Sequence, residues 1–157
     1  MEGARPATSE DVPRIAELVA AAVAELTPMK GGVVWAAREA SWPPHEARLL
    51  EALADPARLV LAGTIDDAVI GYAVTHVEDL RDGSRLGVID DLFVEEGARG
   101  VGVGEAMMQS VLAWLDAQGC AGADAMALPG HRAAKNFFEG SGFTARQIVM
   151  HHRMDAG

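Results

Sequence analysis

The sequence predicts one domain of the mixed α/β (α+β) class, in which a single mixed sheet is flanked by helices. Three observations predict it. Apolar residues recur at helical spacing near the N-terminus, at a spacing of two in the middle, and in alternating helical and strand-like segments afterwards. With 157 residues, 50% of them hydrophobic, the chain has the size of one domain and can bury a core unaided. We therefore assign residues 1–157 to a single domain.

The N-terminal third is expected to hold a short strand and two helices. Residues 5–8 can form the strand, and Thr8 or Ser9 then caps a helix whose apolar residues repeat on one face. Residues 33–44 include two tryptophans but show no clear period. A second helix is predicted over about residues 46–53, before an Asp-Pro pair that ends it.

The middle of the chain is typical of an antiparallel meander. Residues 58–65, 68–77 and 85–94 are rich in Val, Ile and Leu, and short Asp- and Gly-containing turns separate them. The elements predicted after the meander are a glycine-rich turn at 97–104, a helix at about 105–118, a strand near 123–128, a helix at about 132–139 and two closing strands within 143–154.

Composition excludes several classes of function. A net charge of −10 speaks against sequence-independent nucleic-acid binding, which depends on Lys and Arg, and it favours a cationic partner. No apolar run approaches the ~18 residues of a membrane span, and the polar N-terminus does not resemble a signal peptide. The single cysteine, Cys120, allows no internal disulfide, and no spacing of ligands predicts a metal. We expect a cytoplasmic protein without membrane or nucleic-acid partners.

The glycine-rich turn is the most informative segment. The strand that ends in Leu92-Phe93-Val94 leads into Gly97–Gly104, and a helix begins there. Free N–H groups at a helix N-terminus, exposed by glycines and accompanied by Arg99, can hold a phosphate group. Taken alone, the turn could be only a tight connection. No Lys-Ser/Thr follows as in a P-loop, and the preceding meander differs from a dinucleotide-binding unit.

Two motifs together resemble the GNAT superfamily of N-acetyltransferases. Arg99-x-x-Gly102-x-Gly104 is similar to its acetyl-CoA signature, and residues 134–143 are similar to its A-x-x-F-Y-x-x-x-G-F segment. The opening Arg5-Pro6-Ala7-Thr8 also looks like a common start of the family. The resemblance implies a mostly antiparallel sheet, splayed between strands 4 and 5 and flanked by about four helices.

The resemblance also implies acetyl-CoA as co-substrate and a set of residues that bind it. The backbone of the strand before the turn would pair with the pantetheine arm, the turn would hold the pyrophosphate, and the helix after strand 5 would lie along the pantetheine and thiol. The residues concerned are Leu92, Phe93 and Val94, then Arg99, Gly100, Val101, Gly102, Val103 and Gly104, then His131, Asn136, Phe137 and Phe138.

Two positions depart from the family pattern. His131 stands where the family often has Asn, and Phe138 stands where it often has the Tyr that protonates the CoA thiolate. A phenyl ring has no proton to donate, so water or another side chain would take that role. The single tyrosine, Tyr72, is expected to be a half-buried aromatic of the sheet.

The candidate base is Asp90, because an amine attacks a thioester only after it loses a proton. Apolar neighbours should raise the pKa of this carboxyl group, and the resemblance favours Asp90 over Asp91. Adjacent strand residues point to opposite faces, so only one of the pair is expected to face a given side. The alternatives are Asp91, action through water, and carboxylates that only reach the rim of the sheet.

The resemblance implies direct transfer of an acetyl group to a primary amine, and the net charge of −10 is compatible with a small, cationic acceptor. The acceptor pocket is expected from residues 29–44 and the turns of the meander. The alternative is a regulatory module of the same fold that binds acyl-CoA with little or no catalysis, in line with Phe138 and His131. The implied fold allows a homodimer, for which the sequence shows no evident interface.

Overall fold

The computed structural model describes residues 1–155 and contains five strands and five α-helices. In chain order they are β1 (Glu2–Pro6), α1 (Val12–Leu26), α2 (Gly32–Arg38), α3 (His45–Ala54), β2 (Arg58–Ile65), β3 (Ala68–Asp79), β4 (Arg85–Val94), α4 (Val103–Ala117), β5 (Gly122–Ala125) and α5 (Arg132–Gly140). Short 3-10 turns precede α1 and α4. Among residues 1–155, no helix is both long and apolar enough to cross a bilayer.

The strands form one sheet in the order β1-β2-β3-β4-β5. Strands β1 to β4 pair antiparallel with their neighbours, and β5 pairs parallel to β4. The turn residues predicted from the sequence separate β2, β3 and β4 within two residues of the expected limits. The predicted mixed α+β class is therefore confirmed.

Helices bury both faces of the sheet. On one face, α1 and α3 pack with Ile15, Leu18 and Leu49 against β2 and β3. On the other face, α4 packs with Met107 and Val111 against β2, β3 and β4. The core thus consists of two apolar layers on either side of the sheet, as expected when each helix has one apolar stripe.

An ion pair fixes the chain between β1 and α1. Asp11 is 9% exposed and accepts hydrogen bonds from Arg5 Nη1 at 2.7 Å and Nη2 at 2.9 Å. It also accepts a hydrogen bond from the backbone N–H of Thr8 at 2.8 Å. These donors, the Arg5 guanidinium above all, lower the pKa of Asp11 to about 2.

Strands β4 and β5 separate after a short paired region. Residues Leu86 to Ile89 pair with Gly122 to Ala125, and the register ends there. The rest of β4, residues 90–94, is paired only with β3. The predicted splay between strands 4 and 5 is therefore present, and it leaves one backbone edge of Leu92, Phe93 and Val94 open.

The prediction of two closing strands within 143–154 is wrong. Residues 143–155 form no strand, and the chain there has neither a turn nor a bend. The physical reason is visible in the sequence, because no Gly, Pro, Asn or Asp interrupts residues 144–154 to make a hairpin turn. The β5 strand also ends at Ala125, before the predicted limit, and α2 forms where no period was evident.

Candidate active site

A β-bulge in β4 places the two aspartates side by side. Ile89 pairs with Thr75 and Asp91 pairs with Val74, so Asp90 is an extra residue with no partner of its own. Ile89 and Leu92 on either side of the pair both pack in the α4 layer. Both carboxylates therefore lie on the α1–α3 face, contrary to the alternation expected from the sequence.

Asp90 begins a row of three hydrogen-bonded side chains. His76 Nδ1 lies 2.7 Å from Asp90 Oδ2, and His76 Nε2 lies 2.8 Å from Glu78 Oε2. Burial disfavours the imidazolium, but the two carboxylates raise the pKa of His76 overall. Both ring nitrogens face carboxylate oxygens, an arrangement that favours the protonated imidazole, in which each nitrogen carries a proton to donate.

The pKa values of both aspartates are raised. Partial burial raises the pKa of Asp90, while the hydrogen bond from His76 opposes that change. Burial, and then the neighbouring Asp90, raises the pKa of Asp91 to about 7. With a pKa of about 7, the Asp91 carboxyl group at the start of the splay is suited to accept a proton near neutral pH, and the pKa of Asp90 is shifted in the same direction.

Tyr72 lies in the core beside this pair. It is 1% exposed, and its ring centroid is 6.1 Å from that of Phe93. Burial raises its pKa well above the ordinary value, with a smaller effect from Asp91. Tyr72 therefore keeps its proton at neutral pH and is more deeply buried than the sequence predicts.

The glycine-rich turn has the backbone expected of an anion cradle. Gly100 and Gly102 have φ angles of 82° and 91°, values that side chains rarely allow, and Gly102 is the N-cap of α4. The N–H groups of Val103, Gly104 and Glu105 begin the helix, where intrahelical acceptors are lacking. The Glu2 side chain lies beside Gly102, so a Cβ added there would be 3.2 Å from it.

Arg99 is held by partners that its motif does not reveal. Its Nε donates to the carbonyl oxygen of Val94 at 2.8 Å, and its Nη2 donates to both Glu25 oxygens at 2.8 and 2.9 Å. Its guanidinium carbon also lies 5.4 Å from the centroid of the Phe93 ring. The single cationic side chain of the turn is thus ion-paired with a residue of α1.

Helix α5 contributes three of its four predicted residues to this region. His131, its N-cap, is close enough to Glu25 and Arg99 for their charges to act on it, while burial lowers its pKa. Phe137 packs on Gly104, where an added Cβ would lie 3.3 Å from its ring. Phe138 packs on Phe143 at 5.5 Å between centroids. Asn136 lies on the exposed side of α5.

These residues fit acetyl-CoA. The open edge of Leu92, Phe93 and Val94 offers N–H and C=O groups to an amide-containing arm, in the manner of an added strand. The turn from Arg99 to Gly104 offers N–H groups to a pyrophosphate. Gly100 and Gly102 adopt positive φ angles that leave the backbone of the turn without side chains at these positions.

Several functional candidates could not be recognised from the sequence. His76 and Glu78 have no special spacing to Asp90, and only the pairing of β3 with β4 brings them together. Glu25 is 74 residues from Arg99. In the expected acceptor segment, Trp42 is exposed and lies against the guanidinium of Arg48, at 4.7 Å from the ring centroid.

Comparisons with known proteins agree with this fold. A tetramutant of the BH1408 protein from Bacillus halodurans has a TM-score of 0.83 at 20% identity, over 96% of this chain and 99% of that one. AAC(6′)-Iy in complex with the bisubstrate analogue CoA-S-monomethyl-acetylneamine has a TM-score of 0.76 at 18% identity, over 99% of both chains.

An aminoglycoside acetyltransferase, meta-AAC0020 from an uncultured soil metagenomic sample, in complex with sisomicin, has a TM-score of 0.72 at 18% identity. The match covers 99% of this chain and 97% of that one. No curated protein sequence matches the chain. The model of the acetyltransferase (GNAT) family matches residues 32–143. The chain therefore belongs to the GNAT acetyltransferase family.

Proposed function

We propose that this protein transfers the acetyl group of acetyl-CoA directly to a primary amine of a small, cationic acceptor. One observation above all supports the proposal. The bulge puts Asp90 and Asp91 on one face of β4, immediately before the open backbone edge of residues 92–94. In this proposal, the proton acceptor and the binding site of the thioester arm are neighbours on a single strand.

Acetyl-CoA supplies a thioester whose acetyl group can pass to a neutral amine with release of the thiol. The chain's own groups bind and orient it. The backbone of Leu92, Phe93 and Val94 would hold the pantetheine arm, and the amides from Arg99 to Gly104 would hold the pyrophosphate. His131, Asn136, Phe137 and Phe138 on α5 would lie along the arm. Because Phe138 donates no proton, water or another side chain would protonate the departing thiolate.

Asp90 acts as the base in this proposal. Its carboxylate accepts a proton from the ammonium form of the acceptor, since only the free amine has a lone pair for attack. The row formed with His76 and Glu78 orients the Asp90 carboxylate, because His76 Nδ1 lies 2.7 Å from Asp90 Oδ2 while Glu78 Oε2 holds His76 Nε2 at 2.8 Å. Asp91, with a pKa of about 7, is the rival base.

The charge of the site supports a cationic acceptor. Asp90, Asp91 and Glu78 lie together on the α1–α3 face, and the chain as a whole has a net charge of −10. Negative potential around a site attracts cations and raises their association rate. An aminoglycoside acetyltransferase has the same fold, which makes aminoglycosides a sensible first group of amines to test. The free thiol of Cys120 supports a cytoplasmic site of action.

The test is release of CoA thiol from acetyl-CoA with a panel of polyamines, aminoglycosides and peptide amines. We expect Asp90→Asn to lower kcat by about 10²–10⁴-fold with acetyl-CoA affinity nearly unchanged, the range for loss of a general base. Asp67→Asn, in the exposed β2–β3 turn, is the matched control. Full activity of Asp90→Asn with loss in Asp91→Asn would transfer the role to Asp91.

A second candidate is a module that binds acyl-CoA with little or no catalysis. Phe138 favours it, because an aromatic cluster with Phe137 and Phe143 occupies the position of the family's usual proton donor. Both functions predict a higher melting temperature with acetyl-CoA. Binding without thiol release for any amine of the panel would favour the module.

A further inference from the structure

The proposed transfer leaves one proton without a donor. When the acetyl group moves to the amine, the sulfur of CoA departs with the electron pair of the broken bond and needs a proton. Phe138 packs in an aromatic cluster with Phe137 and Phe143, so that position supplies none. Tyr72 is 1% exposed in the core, and burial raises its pKa well above the ordinary value, which makes it a weak acid.

The backbone of β4 indicates where the sulfur would lie. The N–H of Glu95 donates to the carbonyl oxygen of Ile70 on β3 at 2.8 Å, and the backbone groups of successive strand residues point to opposite sides. Leu92 and Val94 therefore direct their N–H and C=O groups to the open edge. Because the turn that would hold the pyrophosphate follows Val94, the pantetheine arm would run from Val94 toward Leu92. Its thiol end would reach the residue before Leu92.

That residue is Asp91. The bulge turns its side chain onto the same face as Asp90, and it is only half-buried, so a ligand can contact it. Asp90 has a cationic partner, since His76 Nδ1 lies 2.7 Å from its Oδ2. In the part of the chain that the structure describes, no donor or cation acts on the carboxyl group of Asp91. Of the two neighbours, Asp90 is therefore the one that is held ionised.

The surroundings of Asp91 favour its protonated form. The titratable groups that face it are Tyr72 from β3 and Asp90 from β4, and α1 and α3 contribute apolar side chains to this layer. Burial and the charge of Asp90 raise its pKa from 3.8 to about 7. A thiol has an ordinary pKa of about 8.5, so transfer of a proton from Asp91 to a thiolate is favourable. Neighbouring acids with different environments are typical of an acid and base pair.

We propose that Asp91 is the general acid of the transfer and gives its proton to the sulfur of CoA. This role rests on the proposed function, in which Asp90 removes one proton from the ammonium form of the acceptor. The nitrogen lone pair forms the C–N bond, the C–S bond breaks, and Asp91 protonates the sulfur. The nitrogen loses a second proton as it becomes an amide, and this proton restores Asp91. One proton in total is released to water.

The pH dependence of kcat distinguishes an acid from a base at this position. With an amine that supports thiol release, Asp91→Asn should lower kcat by about 10²-fold at pH 6, the lower end of the range for a general acid. Above pH 7 the wild type loses the proton of Asp91, so the defect should shrink by about tenfold per pH unit. A base at this position would give a defect that grows with pH. Asp67→Asn, in the exposed β2–β3 turn, should follow the wild-type profile.

A second measurement needs no amine. Infrared difference spectra give the pKa of Asp91, because Asp91→Asn removes the band of its protonated carboxyl group. We expect this pKa to be lower with CoA bound than with desulfo-CoA, since a thiol that donates a hydrogen bond to the carboxylate favours the ionised form. Equal values with the two ligands would mean that the carboxyl group does not contact the sulfur, and would overturn the proposal.

The outcomes separate the role of Asp91 from the transfer itself. Thiol release with a defect of Asp91→Asn that is constant or grows with pH overturns the acid role and leaves the transfer standing. If CoA does not change the melting temperature, or if no amine of the panel releases thiol from the wild type, the transfer and the role of Asp91 are both wrong.

Discussion

The two aspartates at the bulge of β4 differ from ordinary surface carboxylates in their effect on the stability of the folded state. The pKa of Asp91 is about 7, compared with 3.8 in an unfolded chain. The folded state therefore holds this proton more tightly than the unfolded state does. As pH rises from about 4 to about 7, the unfolded chain ionises first, so the contribution of Asp91 to stability falls over that window.

Asp91→Asn removes this dependence because the amide does not titrate. We expect the variant to be more stable than the wild type above pH 7, by on the order of 2–4 kcal/mol, and to show a much smaller difference below pH 4. Urea unfolding at pH 4 and pH 8 measures both values. Equal differences at the two pH values would mean that Asp91 is not raised in the folded protein, and Asp67→Asn provides the baseline.

At the scale of elements, the turn between β4 and α4 determines whether an anion can bind. Gly102 has a φ of 91° and a near neighbour in Glu2, so Gly102→Val is strained and also crowded. Gly97 in the same turn has nothing within 4 Å of an added Cβ and no positive φ. Gly97→Val is therefore a matched control for Gly102→Val in the same turn.

Acetyl-CoA should raise the melting temperature of the wild type and of Gly97→Val but not of Gly102→Val. At a concentration about 100-fold above Kd, the expected stabilisation is ~2.7 kcal/mol, which thermal unfolding detects easily. Retention of the full shift in Gly102→Val would assign the phosphate site to another part of the molecule.

The elements also differ in how well the sequence predicts them. Strands β2, β3 and β4 were predictable because their turns contain Asp66-Asp67 and Asp82-Gly83-Ser84, which interrupt the period-two pattern. The bulge in β4 was not predictable, because an extra residue beside Asp91 leaves the apolar pattern of the strand almost unchanged. The pair of Arg99 with Glu25 depends on how α1 packs. The two closing strands did not form because residues 144–154 contain no turn residue that could reverse the chain into a hairpin.

For the whole molecule, acid stability depends on the ion pair that joins β1 to α1. The pKa of Asp11 falls from 3.8 to about 2 on folding, mainly through Arg5. The stabilisation is complete above about pH 4 and is lost as pH falls through 2. We expect Asp11→Asn to lower the free energy of unfolding by about 2 kcal/mol at pH 7.

The difference between Asp11→Asn and the wild type should shrink as pH falls from 4 to 2. Urea unfolding across that range measures it, with Glu10→Gln, at the exposed neighbouring position, as control. A constant difference at every pH would mean that the aspartate acts through packing and neutral hydrogen bonds rather than through its charge.

The bulge also determines which face of the sheet each later side chain of β4 points to. Because one residue is inserted at Asp90, Leu92 and Val94 join the α4 layer and Phe93 joins the α1–α3 layer. In an uninterrupted strand, the same three side chains would exchange layers. A single inserted residue thus specifies at once the acid pair, the apolar lining of both layers and the orientation of the open edge. A change in the length of β4 would therefore alter the site more deeply than any change of side chain within it.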